Sequence, residues 1–486
     1  MKKIRIVASS LVTLAVLMSG CIDTETDTPL ASAPDAQFSM DGTESDFETT
    51  GRSLVVFSGQ RLPNDAVQLV VSRGGTVVAS YDAIGVLVAD GLSDEATASL
   101  EAVSSVQAVS PDYILPLWIP GQIEVGQTFA DEVANNNPQT AFFYGRQWNM
   151  RVIGADQAWA AGKTGSAGVT VAILDTGLGY THADLAGLVD LSRSVSFVPS
   201  DDALVNAFFP GAHPVADLHW HGTHVGATVS SNAVAAAGVT SKTTLIGVKI
   251  CNVNGSCPTS GVLAGVMYAA AQGADVLNLS VGGLFLKGAN PGFVATISRA
   301  FNYAYRQGAT VVTSAGNANT DLDRNIHPAA GHVPSLYASY CDAPNVVCVS
   351  ATGPTTSAST VGPWTDLDGR AEYSNFGRNA IDVAAPGGRA GPSLIGSGGV
   401  VWAACSRFSL QIPVCRTGTF ILGATGTSMA SPHAAGVAAL LVAGGARGPA
   451  LIRSRLHQTA DDVGETGTDP YFGKGRVNAA RAAGVN

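Results

Sequence analysis

The chain has 486 residues, of which 46% are hydrophobic and 13% charged, and its formal net charge is −10. Nucleic acids attract cationic surfaces, so this acidic balance argues against a nucleic-acid partner. The length exceeds that of one ordinary domain and is enough to bury a large core, while beyond the N-terminus no apolar run reaches the length of a membrane span.

The N-terminus has the pattern of an export signal. A basic head, Lys2 to Arg5, precedes an apolar run, Ile6 to Met18, and small residues then lead to Cys21. This order predicts a signal peptide over residues 1–20. The ending resembles a bacterial lipobox, in which the cysteine becomes lipid-modified, and ordinary signal-peptidase cleavage remains the alternative. We therefore expect export from a bacterial cell, with a lipid-anchored precursor.

Two regions of different composition follow the signal. Residues 21–50 are rich in acidic residues, Thr, Ser and Pro, which predicts a disordered tether. Residues 51–117 predict a small α+β domain. Its expected elements are strands at Val77–Val78 and Gly85–Ala89 and a helix over Ser93–Val103. Leu54–Phe57 is noted as apolar, and the apolar run Val67–Val71, which precedes Gly74, stays unassigned. Residues 118–146 are polar and contain glycine, which predicts an exposed linker.

Strand and helix patterns alternate in the remainder, residues 147–486. Short apolar runs predict strands at Val169–Asp175, Leu245–Ile250, Val276–Leu279, Thr310–Thr313, Val346–Ser350 and Ile381–Ala384. Longer patterns predict helices at Thr259–Gln272, at Gly292–Gln307 and from Ser428 onward, with Pro432 in the first turn of the last helix. This alternation predicts an α/β fold, a doubly wound and mostly parallel sheet covered by helices on both faces.

Three segments supply an acid, a base and a nucleophile. Asp175 closes a buried strand, His221 lies in a small-residue segment, and Ser428 stands at a helix start, where the helix dipole favours developing negative charge. A serine hydroxyl needs a neighbouring imidazole to remove its proton, and a carboxylate to orient that imidazole. Asp, His and Ser in this chain order are one of the known arrangements of a catalytic triad.

Five motifs around these residues resemble those of subtilisin-like serine proteases. They are VAILDTG at Asp175, HGTH from His221, LNLSVGG from Leu277, SAGN ending at Asn317, and GTSMASPH around Ser428. The resemblance covers roughly residues 147–480. It implies a peptide-bond hydrolase that needs no cofactor for chemistry, with Asn317 and the Ser428 backbone N–H as oxyanion donors.

The resemblance also implies partners and a substrate cleft. Residues 51–117 look like the family's inhibitory propeptide, removed by self-cleavage within residues 117–147, which makes the precursor a zymogen and the mature enzyme secreted. Polypeptide substrates would add as a strand between two edges, Ser280-Val281-Gly282 on one side and Gly255-Ser256 on the other. A plain turn is the alternative for Gly255. The floor of the first specificity pocket is expected near residues 332–340.

The cysteines agree with an exported lipoprotein. Of seven cysteines, Cys21 is assigned to the lipid, and the other six fall into close pairs. These pairs are Cys251 with Cys257, Cys341 with Cys348, and Cys405 with Cys415. The spacing favours three local disulfides in an oxidising compartment, although six cysteines permit about fifteen connectivities.

Three alternatives remain open from the sequence. His219, His221 and His224 form an H-x-H-x-x-H array that resembles the zinc motif of metallo-β-lactamase-like hydrolases, with Thr223 at the usual aspartate position. A polypeptide-binding lipoprotein without catalysis is the second. The third concerns Asp184, which matches the family's calcium-ligand aspartate and predicts a structural calcium, or else caps a turn.

Overall fold

The computed structural model describes residues 47–120, 123–127, 137–391, 393–394, 396 and 398–485. These residues belong to one compact unit. The predicted signal peptide, the lipid site at Cys21 and most of the tether lie outside the described residues. Within the described part, no helix combines the length and the apolar character that crossing a membrane requires.

An N-terminal subdomain, residues 49–117, is built on an antiparallel sheet. Its elements are β1 (Thr49–Phe57), α1 (Ala66–Val71), β2 (Thr76–Tyr81), β3 (Val86–Asp90), α2 (Asp94–Glu101) and β4 (Val106–Pro116). The strand order is β2-β3-β1-β4. The expected α+β composition is present, and the apolar run that the sequence left unassigned forms α1. Ser93 caps α2 by accepting a hydrogen bond from Ala96 N at 3.2 Å.

The main body, residues 118–485, contains the remaining elements. The first strands are β5 (Glu124–Gln127), β6 (Thr170–Asp175), β7 (Val195–Ser196), β8 (Thr244–Lys249), β9 (Ser256–Pro258), β10 (Val276–Leu279), β11 (Leu284–Leu286) and β12 (Thr310–Ser314). The later strands are β13 (Ile326–His327), β14 (Gly331–His332), β15 (Leu336–Ala338), β16 (Val346–Gly353), β17 (Thr356–Ser357), β18 (Trp364–Thr365), β19 (Gly369–Arg370), β20 (Val383–Pro386), β21 (Val401–Ala404) and β22 (Phe420–Ala424). The helices are α3 (Trp148–Val152), α4 (Ala155–Ala160), α5 (Pro199–Phe208), α6 (His221–Val229), α7 (Thr259–Ala271), α8 (Pro291–Arg306), α9 (Thr427–Ala443), α10 (Pro449–Thr459) and α11 (Ala479–Ala482).

The central sheet has the order β19-β16-β12-β10-β6-β8-β7, with β20 beside β16. Its neighbours pair in parallel except at β19. Side chains of β6 alternate between two cores: Val171 and Ile173 enter one, Ala172 and Leu174 the other. Because successive strand residues point to opposite faces, both faces of this sheet are covered. The predicted parallel α/β sandwich is confirmed.

Helix α9 begins one residue earlier than the nucleophile candidate, and this changes the position of Pro432. The sequence placed this proline in the first turn, and that prediction is wrong, because Pro432 is the sixth residue of α9 and lies inside the helix. A proline has no N–H for the carbonyl four residues earlier, which here belongs to Ser428. The Ser280 hydroxyl donates to that carbonyl instead, at 3.0 Å.

The region expected to be a polar linker is partly an element of the main body. Strand β5 pairs antiparallel with β22 as the outer strand of the sheet β21-β22-β5. Phe143 is buried and stacks on Trp402, with ring centroids 6.3 Å apart. A chain segment that follows the N-terminal subdomain is thus held on the main body by backbone pairing and apolar contact.

Candidate active site

The structure brings together two residues of the predicted triad, Asp175 and His221, and places Ser428 at the start of a helix that lines the cleft. Asp175 is the last residue of β6, His221 the first of α6 and Ser428 the second of α9. His221 Nδ1 lies 2.8 Å from Asp175 Oδ1, and both side chains are fully buried. The Ser428 hydroxyl donates to Ser280 O at 3.0 Å. Among the described residues, His221 Nε2 has no hydrogen-bond partner.

Side chains outside the triad fix the start of α6. The first N–H groups of a helix have no partner within it. Here Gly222 N donates to Thr176 Oγ1 at 2.9 Å and Thr223 N to Asp217 Oδ2 at 2.9 Å. The Thr176 hydroxyl also donates to Asp217 Oδ1 at 2.8 Å. Because Thr176 follows the acid in the chain and α6 carries the base, this network ties the two elements together.

Sequence reasoning missed Asp217. Its carboxylate is fully buried, and burial raises its pKa while hydrogen bonds from Thr223 and Thr176 oppose the shift. A signal was available, because an aspartate shortly before a helix start is a common capping residue. Nothing in the sequence indicated that Thr176, forty-one residues earlier in the chain, would share the same carboxylate.

Gly222 allows α6 to approach the acid. A Cβ at this position would lie 2.2 Å from Gly177 O and 3.1 Å from Asp175 Cβ. No larger residue fits there without moving the backbone. The glycine of the HGTH motif therefore sets the distance between acid and base.

The two other histidines of the H-x-H-x-x-H array do not converge on a metal position with His221. His224 Nε2 lies 3.1 Å from Val401 O and 3.2 Å from Leu422 O, so it acts as a donor to carbonyls. Burial lowers the pKa of His219 and that of His224 to about 3. Within the described ranges no cluster of three or more acidic, histidine or cysteine side chains could hold a metal ion. The zinc alternative is therefore not supported.

Hydrogen bonds from Thr427 orient the side chain of Asn317, the residue expected to be an oxyanion donor. Its Oδ1 accepts from Thr427 N at 2.9 Å and from the Thr427 hydroxyl at 2.7 Å, which turns Nδ2 toward the cleft. Nδ2 donates to the backbone carbonyl of Trp118 at 2.8 Å. A peptide carbonyl of the chain itself thus occupies the position where such a donor would polarise a substrate. Thr427 orients Asn317 and is not an additional donor to this carbonyl.

The end of the N-terminal subdomain occupies the predicted cleft. Strand β4 pairs antiparallel with β9, with Leu115 opposite Cys257 and Pro116 opposite Ser256. Leu117 N then donates to Gly255 O at 2.8 Å. On the other side, the cleft is lined by the predicted residues Ser280, Val281 and Gly282.

Gly255 serves both as a turn residue and as a contact. Its φ of +77° lies in the left-handed region that favours glycine. A Cβ there would also lie 3.2 Å from the Leu117 Cβ. The turn that the sequence offered as the alternative is present, and the role of Gly255 in substrate binding stays a prediction.

The segment expected to form the floor of the first pocket divides into two parts. Strand β15 pairs with β11, and Ser339 exchanges backbone and hydroxyl hydrogen bonds with Gly283 at the edge of the cleft. His332 is exposed and belongs to β14, which pairs with β13 instead. Only residues 336–340 therefore pack against the cleft edge.

All six remaining cysteines are paired with their neighbours, as the spacing favoured. The disulfides are Cys251–Cys257, Cys341–Cys348 and Cys405–Cys415. The first brackets the turn at Gly255 and ends within β9. It therefore closes a short ring around the edge that pairs with β4.

Asp184 does not offer a calcium site. Its Oδ1 accepts from Val234 N at 2.8 Å and Ala235 N at 2.9 Å, and its Oδ2 accepts from Ala236 N at 3.0 Å. Calcium binds to oxygen ligands. The groups that converge on this carboxylate are N–H donors, whose positive ends repel a cation, so the residues present do not fit the ion.

Comparison with known proteins identifies the family. Residues 166–475 match the sequence profile of the Subtilase family. The chain is 32% identical over 348 residues to thermitase of Thermoactinomyces vulgaris, which covers 71% of this chain and 98% of thermitase. It is 33% identical to a thermophilic serine proteinase of Bacillus sp. strain AK1, over 71% of this chain and 69% of that protein.

Two solved structures share the fold at low sequence identity. The epidermin leader peptide processing serine protease of Staphylococcus aureus has a TM-score of 0.66 at 20% identity, covering 89% of this chain and 98% of that one. Fervidolysin of Fervidobacterium pennivorans, a keratinolytic enzyme related to subtilisin, has a TM-score of 0.65 at 23% identity over 91% of this chain and 62% of its own. Because the family profile spans more than half of the sequence and thermitase is matched along almost its whole length, this chain belongs to the subtilase family and is a serine endopeptidase.

Proposed function

We propose that Asp175, His221 and Ser428 are the catalytic triad of this endopeptidase. The observation that carries the proposal is the buried 2.8 Å contact between Asp175 and His221. Ser428 and Asn317 support it, because both line one cleft. His221 Nε2 would take the Ser428 proton as Oγ attacks the substrate carbonyl, and Asp175 would hold the other ring nitrogen. Asn317 Nδ2 and the Ser428 N–H would stabilise the oxyanion.

The reaction then proceeds through an acyl-enzyme. The protonated His221 gives its proton to the leaving amine, and the carbonyl carbon stays bound to Ser428 Oγ as an ester. A water molecule, deprotonated by His221, hydrolyses this ester and restores the serine. Polypeptides are the substrates, and no cofactor takes part in the chemistry.

The N-terminal subdomain acts in this proposal as an inhibitory propeptide over residues 51–117. Support comes from β4, which occupies the cleft by pairing with β9. Asp112 accepts from Ser260 N at 2.7 Å and from the Ser260 hydroxyl at 2.6 Å, so it caps the start of α7. Arg299 of α8 donates to Gly59 O and Ile84 O, each at 3.0 Å.

In this proposal, the lipid anchor and the propeptide together control when the enzyme leaves the membrane. Cys21 precedes the propeptide in the chain, and the main body follows it. A cut after the propeptide therefore separates the anchor from the enzyme. In this proposal the exported precursor is held at the bacterial membrane and inhibited, and degradation of the propeptide releases a soluble, acidic protease.

Calcium has no place at Asp184 in this proposal. The Asp184 carboxylate accepts hydrogen bonds from the backbone N–H groups of the loop from Val234 to Ala236 and so holds this loop directly. A bound cation would instead hold a loop through its carbonyl oxygens. Structural calcium at this site is therefore not part of the proposed function.

Replacement of the triad tests the mechanism. Ser428→Ala and His221→Ala should each lower kcat/KM for a peptide substrate by about 10⁴- to 10⁶-fold. Asn317→Leu should lower it by about 10²- to 10³-fold. Exposed His332→Ala is the matched control and should keep full activity. Thermal unfolding of each variant checks the fold, and full activity in folded Ser428→Ala protein would refute the mechanism.

Cell fractionation tests the anchor. Ser428→Ala should accumulate as full-length precursor in the membrane fraction, and the added change Cys21→Ala should move it to the soluble fraction. A soluble Ser428→Ala precursor with Cys21 intact would refute the lipid anchor while leaving the peptidase mechanism standing.

A further inference from the structure

We propose that maturation cuts the bond between Trp118 and Ile119, and that the residues before this bond define the preferred substrate. This inference rests on the proposed triad and deepens it, because it fixes one bond and one register in the cleft.

The position of one carbonyl identifies the bond. An oxyanion donor contacts the carbonyl that is attacked, since the negative charge develops on that oxygen. The carbonyl within hydrogen-bond distance of Asn317 Nδ2 is that of Trp118, at 2.8 Å. Trp118 lines the same cleft as Ser428. The bond that follows this carbonyl joins Trp118 to Ile119.

Backbone contacts hold the chain on both sides of this bond. Upstream, Leu117 N donates to Gly255 O at 2.8 Å, and Leu115 lies opposite Cys257 in the ladder. Downstream, the carbonyl of Pro120 accepts a hydrogen bond from the hydroxyl of Thr425, three residues before the nucleophile. A segment fixed at residues on each side of a bond cannot shift its register without losing several of these contacts.

The chemistry of the step balances without any co-reactant other than water. Ser428 Oγ forms an ester with the Trp118 carbonyl carbon, and the bond to Ile119 N breaks. His221 carries the serine proton to Ile119 N, which becomes the new amino terminus. Water then hydrolyses the ester and leaves a carboxylate on Trp118.

The same register assigns subsites to side chains. Leu115, four residues before the cut, is fully buried, and Leu117, two residues before it, is 7% exposed. Both belong to an apolar cluster with Cys257 and Val281, which lie on opposite edges of the cleft. Leu115 Cδ2 would lie 3.3 Å from a Cβ on Gly283, so its pocket is closely fitted. The preferred substrates are therefore polypeptides with aliphatic residues two and four positions before the cut and a large aromatic residue directly before it.

Mass spectrometry of the wild-type precursor during its maturation tests the bond. The first pair of complementary fragments, whose masses sum to that of the precursor plus one water, should end at Trp118 and begin at Ile119. A first pair at any other bond overturns the proposal. Casein hydrolysis measured in the same samples distinguishes failure of the bond assignment from failure of the proposed function. Casein cleavage without a cut at this bond refutes only the bond assignment. If wild type hydrolyses no more casein than Ser428→Ala does, the proposed function is refuted.

Substituted precursors test the subsites. Trp118→Phe keeps an aromatic residue and should mature at the same bond and at a similar rate. Leu115→Asp should slow the cut at least tenfold, because it places a charge in an apolar pocket. Trp118→Asp should slow it as well, because it removes the aromatic side chain directly before the bond. A synthetic peptide with the sequence of residues 112–120 gives a readout that does not depend on precursor folding. Mature enzyme should cut it after the tryptophan. If peptides that carry Trp118→Asp or Leu115→Asp are cut as fast as this peptide and its Trp118→Phe form, the subsite assignment is overturned.

Discussion

The N-terminal subdomain and the main body both combine helices with a sheet, but they bury that sheet differently. In the main body, helices and loops of the same body cover both faces. In the subdomain, Val55 and Phe57 enter a small core of its own, whereas Leu54 and Val56 on the other face join a cluster with Phe293 of α8. The subdomain thus depends on the main body for about half of its apolar burial.

In the proposed precursor, this difference distinguishes the part that is removed from the part that remains. A domain of this size buries a smaller fraction of its surface than a large one and is marginally stable alone. The main body contains all three disulfides, and the sequence of residues 51–117 contains neither cysteine nor histidine. Four changes test how far the comparison holds.

The largest effect is expected at Arg299, which holds the subdomain on the main body. Its guanidinium donates to Gly59 O, Ile84 O and Gln107 Oε1. Charge-assisted hydrogen bonds contribute about 1.5–3 kcal/mol, so Arg299→Ala should weaken retention of the cleaved subdomain about 10- to 100-fold. Co-purification after graded dilution measures this. Arg306→Ala, exposed on the same helix, is the control, and equal behaviour of the two variants would contradict the role of Arg299.

A moderate effect is expected from the disulfide at the shared edge. Cys251→Ala with Cys257→Ala should raise KM for a long peptide about three- to tenfold, because the ring no longer holds the turn that pairs with substrate. The loss in melting temperature should be small, since a short loop gains little chain entropy from closure. Cys405→Ala with Cys415→Ala is the matched pair and should leave KM unchanged. A large stability loss with unchanged KM would show that the first disulfide is only structural.

Acid should destabilise the main body through its buried histidines. Burial lowers the pKa of His433 to about 4, below the ordinary value of about 6.5. Between these values the unfolded chain binds a proton that the folded one does not, so stability is present above pH ~6.5 and is lost as the pH falls. The slope is about 1.4 kcal/mol per pH unit for each such proton.

Urea unfolding of the Ser428→Ala protein at pH 7 to 4 measures this slope. His433→Gln should reduce this slope by up to about 1.4 kcal/mol per pH unit, the contribution of one proton. The exposed control His332→Gln should leave the slope unchanged. In the folded protein His433 Nε2 faces Asn149 Nδ2 at 2.8 Å, so the neutral ring accepts there and a second ring proton would meet a donor. An unchanged slope in His433→Gln would show that His433 does not cause the loss of stability in acid.

The smallest effect is expected from chelation. Because three N–H donors already satisfy Asp184, EDTA should shift the melting temperature of the mature enzyme by less than about 1 °C through this site. Asp184→Asn should destabilise by about 1–3 kcal/mol, since it replaces an acceptor that serves three donors. A chelator-dependent loss of several degrees that Asp184→Asn abolishes would restore the calcium interpretation.

Local sequence patterns predicted the parts of this protein that local physics decides. Apolar runs located the strands of the central sheet because these strands are buried on both faces, and the motifs located Asp175, His221 and Ser428. Prediction was less successful where a partner comes from a distant segment. The polar composition around Glu124 suggested a linker, yet β5 exists because β22 offers a free edge. Likewise Asp217 acquires its role from Thr176, and no spacing within the chain indicates that contact.

The continuous pairing from β1 through β4 to β9 has a kinetic consequence. The strand that blocks the cleft is also the edge strand of the subdomain's own sheet, where residues 106–113 pair with β1, so one continuous strand joins that sheet to the cleft. Departure requires either the whole folded subdomain to separate or its sheet to open. Where opening and closing are fast compared with cleavage, proteolysis follows the population of the opened state. If the subdomain inhibits the enzyme as proposed, the folding stability of roughly seventy residues sets how long inhibition lasts. Mutations far from the cleft, in the small core around Leu87 and Leu100, would then change that duration.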